Sequence, residues 1–119
     1  MNLFESAEDY LEAILVLSQK GPVHAVHIAN HLNFTKASVS IAMKKLEQNG
    51  YITIDELHHI HLTDSGMKVA TNIYEKHTTL TKCFVKLGVD PEIAAEDACK
   101  MEHIISEETF EAIKKHIND

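Results

Sequence analysis

Three potential metal ligands lie close together in residues 97–103 (DACKMEH). We predict a helix here, and residues three and four apart share a helix face, so Cys99, Glu102 and His103 are expected to point the same way. A thiolate, a carboxylate and an imidazole together can hold a divalent transition metal. The alternative, from these residues alone, is a half-buried cysteine beside two solvated polar side chains.

Histidine offers further candidate ligands, since the chain has nine histidines in 119 residues. His24, His27 and His31 lie three and four apart on a predicted helix, and His59 and His61 share one face of a predicted strand. We assign neither group a thiolate or carboxylate partner. We therefore interpret both groups as solvated or phosphate-facing surface.

The composition limits the class of protein. At 119 residues, 45% of them hydrophobic, the chain fits one compact domain or a small domain with a helical extension. No stretch approaches the roughly 20 apolar residues of a membrane span, and the first six residues lack the features of a signal peptide. The two cysteines, Cys83 and Cys99, fit free thiols in a reducing compartment. We therefore expect a cytoplasmic protein that does not contact a membrane.

Charge is unevenly distributed along the chain. Eleven lysines, no arginine and eighteen acids give a formal net charge of -7, which argues against indiscriminate nucleic-acid binding. Residues 21–50 nevertheless hold three lysines and one acid, whereas residues 71–119 hold six lysines and ten acids. The basic charge is therefore local, and the acidic segment, residues 71–119, is not expected to bind phosphate.

A helix-turn-helix is predicted in the first half of the chain. A helix begins at Ser6 and ends where Lys20 is followed by glycine and proline. A short helix over residues 24–32 is joined by a tight turn, with Thr35 as N-cap, to a second helix over residues 36–48. The second helix of such a pair enters the DNA major groove.

A small wing and three further helices are predicted after it. Residues 51–54 and 59–62 alternate apolar and polar positions around a four-residue turn, which predicts a hairpin. Helices are then expected to begin after Thr63, after Asp90 and at Ser106. The fold class is therefore mainly α with a small β-wing, a winged helix-turn-helix followed by a helical region.

The sequence resembles the DtxR/MntR family of metal-dependent transcriptional regulators, in the short form without an SH3-like domain. Residues 8–14 (EDYLEAI), 62–66 (LTDSG) and 97–106 (DACKMEHIIS) carry the resemblance, which extends over nearly the whole chain. The first and last of these motifs are fairly specific, whereas the LTxxG pattern is shared widely among winged-helix regulators. The resemblance implies a winged helix-turn-helix DNA-binding domain over residues 1–70, followed by a helical metal-binding and dimerisation domain over residues 71–119.

The resemblance implies metal ligands at six positions: Asp9, Glu12, His77, Cys99, Glu102 and His103. Cys99 departs from the manganese branch, which has a carboxylate there, and agrees with the iron-responsive branch. Asp9 departs in turn from the iron branch, which has methionine. Carboxylates suit Mn(II) or Fe(II), and the thiolate favours Fe(II), Co(II) or Zn(II). The resemblance thus implies a hybrid site for Mn(II) or Fe(II), with Co(II) or Zn(II) possible in vitro.

The function implied is metal-dependent repression of metal-uptake genes by a homodimer that binds double-stranded operator DNA and has no small-molecule substrate. The metal would fix two recognition helices about 34 Å apart, the spacing of successive major grooves. The residues placed to contact phosphates, base edges or thymine methyl groups lie on or beside the start of the recognition helix: Thr35, Lys36, Ala37, Ser38, Ser40 and Lys44.

Two other functions remain open from the sequence. One is a metal-independent winged-helix regulator that senses a small ligand or an oxidant through Cys99. The other is an enzyme, either a zinc hydrolase or a thiol enzyme using Cys99 and His103. The chain has no HExxH motif, no Gly-rich phosphate loop and no evident group to orient a catalytic thiol, so we expect that it is not an enzyme.

Overall fold

A computed structural model describes residues 3–118 of the chain, with side chains from Ser6 to Ile117. The outermost ends of the two predicted domains, and the first residues inspected for a signal peptide, lie outside this part. The described chain forms the elements α1 (Leu3–Ser18), α2 (Ala25–Leu32), α3 (Lys36–Gln48), β1 (Ile52–Ile54), β2 (Ile60–Leu62), α4 (Asp64–Lys86), α5 (Pro91–Met101) and α6 (Glu107–Asn118). It divides into two compact units, one up to Thr71 and the other from Asn72 onward. Among the described helices, none combines the length and apolar character needed to cross a membrane.

The turn between α2 and α3 is fixed by local capping. Asn33 adopts the left-handed conformation at φ 59°, and its backbone N–H donates to the Ala29 carbonyl. Asparagine tolerates this conformation better than most residues. Two residues later the Thr35 hydroxyl accepts a hydrogen bond of 3.1 Å from the Ser38 backbone N–H and starts α3. The predicted helix-turn-helix is therefore present, and the predicted bounds of α3 are correct.

The wing is a two-stranded antiparallel hairpin in which Thr53 pairs with His61. Each strand is one residue shorter than predicted, because β1 begins at Ile52 and β2 at Ile60. Asp55 organises the turn between them: Oδ1 accepts backbone N–H bonds of 2.9 Å from Leu57 and 3.0 Å from His59. The Ile60 N–H also donates to the Val23 carbonyl, at 2.8 Å. The wing is thereby attached to the segment that leads into α2.

An apolar core holds the first unit together. α1 contributes Leu11 and Ile14, α2 contributes Ile28, and α3 contributes Val39, all fully buried. Burying each of these side chains stabilises the fold by about 1.5–3 kcal/mol before conformational entropy is counted. α1 begins earlier than predicted, at Leu3, and ends at Ser18. This core supports α3 from behind and leaves its other face to solvent.

The junction between the wing and α4 depends on two neighbouring residues. The Thr63 hydroxyl accepts from the Gly66 N–H at 3.2 Å and donates to the Gly50 carbonyl at 2.6 Å. Gly66 lies so close to β1 that a Cβ atom there would be 2.0 Å from the Tyr51 carbonyl oxygen. The Leu-Thr-x-x-Gly pattern thus combines a helix cap with a site where a side chain does not fit.

In the second unit, α4 contributes the buried side chains Ile73 and Leu80, α5 contributes Ala98, and α6 contributes Phe110. Lys76 on α4 is buried as well: its Nζ lies 2.6 Å from Glu107 Oε1 and 5.9 Å from the centroid of the Phe110 ring. The pairing with Lys76 lowers the pKa of the Glu107 carboxyl. The described chain is mainly α with a small β-wing, as the sequence predicts.

Candidate functional site

Glu102 is a carboxylate almost completely removed from solvent, with 1% of its surface exposed. α5 ends at Met101, and Glu102 caps it in a right-handed helical conformation, with its backbone N–H donating to the Ala98 carbonyl at 2.9 Å. The helix predicted to continue through His103 is therefore two residues too long. Glu102 keeps helical backbone geometry, and its side chain is buried.

Two imidazoles flank the Glu102 carboxylate. His77 Nδ1, on α4, lies 3.0 Å from Glu102 Oε2, and His103 Nε2 lies 3.6 Å from Glu102 Oε1. The His103 side chain is nearly buried and that of His77 is partly exposed. Within the second unit, each oxygen of the Glu102 carboxylate thus faces one imidazole nitrogen, and the three side chains supply oxygen and nitrogen ligands. Such a set suits a divalent first-row transition metal.

The hydrogen bonding of Glu102 indicates whether a cation fits. Oε1 is buried and has no hydrogen-bond partner among the described residues. A buried acceptor left unsatisfied in this way costs about 1–3 kcal/mol, and more when it is charged. A cation between the carboxylate and the imidazoles would remove that cost. The residues present therefore fit a divalent metal ion.

Cys99 lies in a different environment from Glu102. It is exposed on α5, whereas its neighbour Ala98 is buried. In the described chain, Cys99 joins no group of three or more potential ligand atoms within 4.8 Å of one another. Of the three residues expected to share a helix face, Glu102 and His103 approach each other to 3.6 Å, whereas Cys99 is exposed.

Asp9 and Glu12 belong to the first unit. Both are partly buried on α1, while Tyr10 and Leu11 between them are buried in the core. Burial, and then the negative charge of Asp9, raise the pKa of the Tyr10 phenol. The two carboxylates are three residues apart, so they share one face of α1.

The outward face of α3 is the candidate nucleic-acid interface. All six residues predicted to contact DNA are exposed: Thr35, Lys36, Ala37, Ser38, Ser40 and Lys44. The Thr35 hydroxyl is committed to the start of α3, because it donates to Ser38 Oγ at 2.8 Å as well as capping the helix. Ser38 Oγ is the acceptor in its contact with Thr35, so the Ser38 hydroxyl proton is available to donate to a ligand.

Ile41 is a candidate contact that the sequence reasoning missed. It lies four residues after Ala37, on the same face of α3, and is 58% exposed. A large exposed aliphatic side chain there can contact thymine methyl groups. The signal available in the sequence was spacing: Val39, Met43 and Leu46 repeat at steps of four and three residues, and Ile41 falls outside that repeat.

Large apolar side chains are exposed in the second unit. Leu87, after α4, is 76% exposed, Ile104, after α5, is 78% exposed, and Ile93 on α5 is also exposed. Exposed apolar surface of this kind is typical of protein–protein contact when it is contiguous.

Comparison with protein families gives two matches that together cover nearly the whole chain. Residues 2–60 match the sequence model described as the iron dependent repressor, N-terminal DNA binding domain. Residues 63–119 match the model described as the iron dependent repressor, metal binding and dimerisation domain.

Individual relatives agree with these matches. An uncharacterised HTH-type transcriptional regulator of Methanocaldococcus jannaschii is 36% identical over 113 residues, which cover 92% of this chain and 90% of that protein. The transcriptional regulator MntR of Escherichia coli is 34% identical over 111 residues, covering 92% of this chain and 72% of MntR. The solved structure of the manganese regulator SloR superposes with a TM-score of 0.84 at 27% identity, covering 94% of this chain and 53% of SloR. The chain thus spans about half the length of SloR.

Proposed function

The chain belongs to the family of iron-dependent repressors, and on that premise we propose that it represses metal-uptake genes when Mn(II) or Fe(II) activates it for operator binding. The matches confirm the family resemblance and the fold class inferred from the sequence. The family consists of DNA-binding transcriptional regulators and not of enzymes, so the expectation of a non-enzymatic protein is confirmed at the level of the family.

The observation that carries the proposal is the buried Glu102 carboxylate with its unsatisfied Oε1. A protein that needed this position only for stability would be better served by an apolar residue. Cation binding explains why a carboxylate is buried between His77 and His103. A divalent cation supplies localised positive charge and bonds to oxygen and nitrogen ligands.

We assign the remaining ligands by family resemblance. Asp9 and Glu12, on one partly buried face of α1, are proposed to bind the same centre as His77, Glu102 and His103. Cys99 is the sixth proposed ligand, and its exposure makes it the one most easily replaced by water. Ligands shared between the two units would restrict their independent motion. A metal bound preferentially in the DNA-competent arrangement would thus favour operator binding.

The proposed roles of the two halves of the chain follow the two matched family models. We assign DNA binding to residues 1–70 and metal binding with dimerisation to residues 71–119. Exposed Leu87, Ile93 and Ile104 support a homodimer. Since the proposed partner is double-stranded operator DNA, we also propose a cytoplasmic location.

The proposed DNA contacts divide into two kinds. Lys36 and Lys44 are placed to bind phosphates, while Ser38 and Ser40 donate to phosphate or base edges. Ala37 is proposed to touch a thymine methyl group. Thr35 mainly orients the start of α3, because its hydroxyl is committed there.

Operator affinity measured against Mn(II), Fe(II), Co(II) and Zn(II) tests the proposal. The operator is first selected from random duplexes in the presence of Mn(II). We expect each effective metal to tighten operator binding by at least about 10-fold, a coupling of roughly 1.4 kcal/mol. Cys99→Glu is expected to shift the preference toward Mn(II), because an oxygen ligand replaces a thiolate.

Cys99→Ser separates the metal proposal from an oxidant sensor. Metal-dependent binding retained in Cys99→Ser and unaffected by peroxide supports the metal proposal. Equal operator affinity with and without every metal, combined with a peroxide response lost in Cys99→Ser, would replace it with the sensor.

A further inference from the structure

The wing contains a carboxylate flanked by two imidazoles. Asp55 Oδ2 lies 2.8 Å from His61 Nε2 and 3.7 Å from His59 Nδ1. Its other oxygen, Oδ1, is fixed by the backbone N–H groups of Leu57 and His59. The hydrogen bond with His61, followed by those backbone contacts, lowers the pKa of Asp55 to about 2, so the carboxylate is ionised at neutral pH.

Two further histidines, His24 and His27, lie beside the Asp55, His59 and His61 cluster. The His24 ring stands edge-on to the His59 ring, with centroids 4.6 Å apart, and the His27 ring is 5.3 Å from that of His24. The His24 backbone N–H donates to His27 Nδ1 at 3.1 Å, which commits that nitrogen to the start of α2. The imidazoles of α2 and the wing, separate in sequence, therefore meet in one corner of the first unit.

His59 and His61 were interpreted as plain surface because no carboxylate partner had been assigned to them. In the folded hairpin, Asp55 in the turn is such a partner. All three side chains retain access to solvent, with 56% of the His61 side chain exposed. Two imidazoles two residues apart, His59 just before β2 and His61 on it, together with a fixed carboxylate are a chelating set.

We propose that the wing binds a divalent transition metal ion through Asp55, His59 and His61, at a site separate from the one proposed around Glu102. Zinc bonds to nitrogen and oxygen are about 2.0–2.2 Å long, which puts neighbouring ligand atoms a little over 3 Å apart. The two distances from Asp55 Oδ2 bracket that spacing.

One local movement completes the site. The three donor atoms are not all within 4.8 Å of one another, because the carboxylate oxygen lies between the rings. The mostly exposed His61 side chain has room to turn toward His59 about its side-chain torsions. Metal binding exchanges the Asp55–His61 hydrogen bond for two metal–ligand bonds. Because two of the three ligands are nitrogen, the site is expected to prefer Zn(II), Co(II), Ni(II) or Cu(II) to Mn(II).

A metal here would change the charge of the wing. Residues 51–62 contain Asp55 and Glu56 and no lysine or arginine, so the wing repels phosphate when no ion is bound. A divalent ion offsets both acids. This consequence rests on the proposed DNA-binding function, whereas metal binding at the wing does not.

Zinc and cobalt titration of the untagged full chain tests the site. The background is His77→Ala with Glu102→Gln, which removes ligands of the other proposed centre. We expect one equivalent of Zn(II) to bind, and Co(II) to give paramagnetic shifts on the His59 and His61 ring protons. His61→Ala and Asp55→Asn should each weaken zinc binding at least about 10-fold, whereas His116→Ala, which removes an exposed histidine on α6, should not.

The outcomes separate this proposal from the proposed function. Zinc affinity unchanged by His61→Ala, in a variant whose circular dichroism and melting match the background, overturns the wing site. Loss of zinc binding in His61→Ala supports it, whatever operator affinity the unaltered chain shows with Mn(II). Failure of Mn(II) to promote operator binding would contradict only the proposed function.

Discussion

Glu102→Gln is expected to lower metal affinity by at least about 100-fold, and with it to abolish metal-stimulated operator binding. The amide keeps the size of the side chain and an acceptor for His77, but it has no charge to attract a cation. Because a neutral amide costs less to bury than an unsatisfied carboxylate, the same change should raise the melting temperature of the metal-free chain. The effects on function and on stability therefore have opposite signs.

Isothermal titration with Mn(II), operator binding by fluorescence anisotropy and thermal unfolding without metal measure these effects. Glu108→Gln is the matched control, since it removes an exposed carboxylate on α6 from the same unit and should change none of the three. A Glu102→Gln protein that binds Mn(II) like the unaltered chain would show that Glu102 is not a ligand. A lower melting temperature without metal would show that the buried carboxylate stabilises the fold.

Gly66→Ala is expected to destabilise the first unit by about 1–3 kcal/mol, although helix propensity alone predicts a gain of about 1 kcal/mol. The added Cβ would lie 2.0 Å from the Tyr51 carbonyl oxygen, and a backbone atom cannot move aside as a side-chain end can. That oxygen also accepts the Thr63 N–H at 3.0 Å, so displacing it disturbs the start of α4 and the end of the wing together.

Chemical denaturation monitored by circular dichroism measures the change in the free energy of unfolding. The sign of that change distinguishes the steric effect from helix propensity. Ser65→Ala, at the neighbouring exposed position of the same helical turn, is the control and should shift stability by no more than about 0.5 kcal/mol. A stabilised Gly66→Ala protein would mean that the close approach to Tyr51 is not maintained in solution.

The parts of the fold that local chemistry determines were predictable from the sequence. Thr35 and Asp90 each accept a backbone N–H at a helix start, and Pro91 occupies the first position of α5, because capping needs only residues a few positions apart. The left-handed backbone conformation of Asn33 could not be predicted, since asparagine is common in many turn conformations.

The features that depend on contacts distant in sequence were not predictable. Glu102 and His77 are 25 residues apart, and their hydrogen bond depends on how α4 lies against the end of α5. The resemblance implied both residues as ligands, whereas helical periodicity placed Cys99 on one face with Glu102 and His103. Similarly, Asp55 could not be paired with His61 until the hairpin register and its turn were known.

Metal and operator DNA are proposed to favour the same arrangement of the chain, and reciprocal coupling tests this most directly. Mn(II) affinity is measured by titration with and without a saturating amount of the selected operator duplex, at one salt concentration. Linkage predicts that DNA tightens Mn(II) binding by the same factor by which Mn(II) tightens DNA binding. Mn(II) affinity that is identical with and without operator would contradict the claim, even if both ligands bind well.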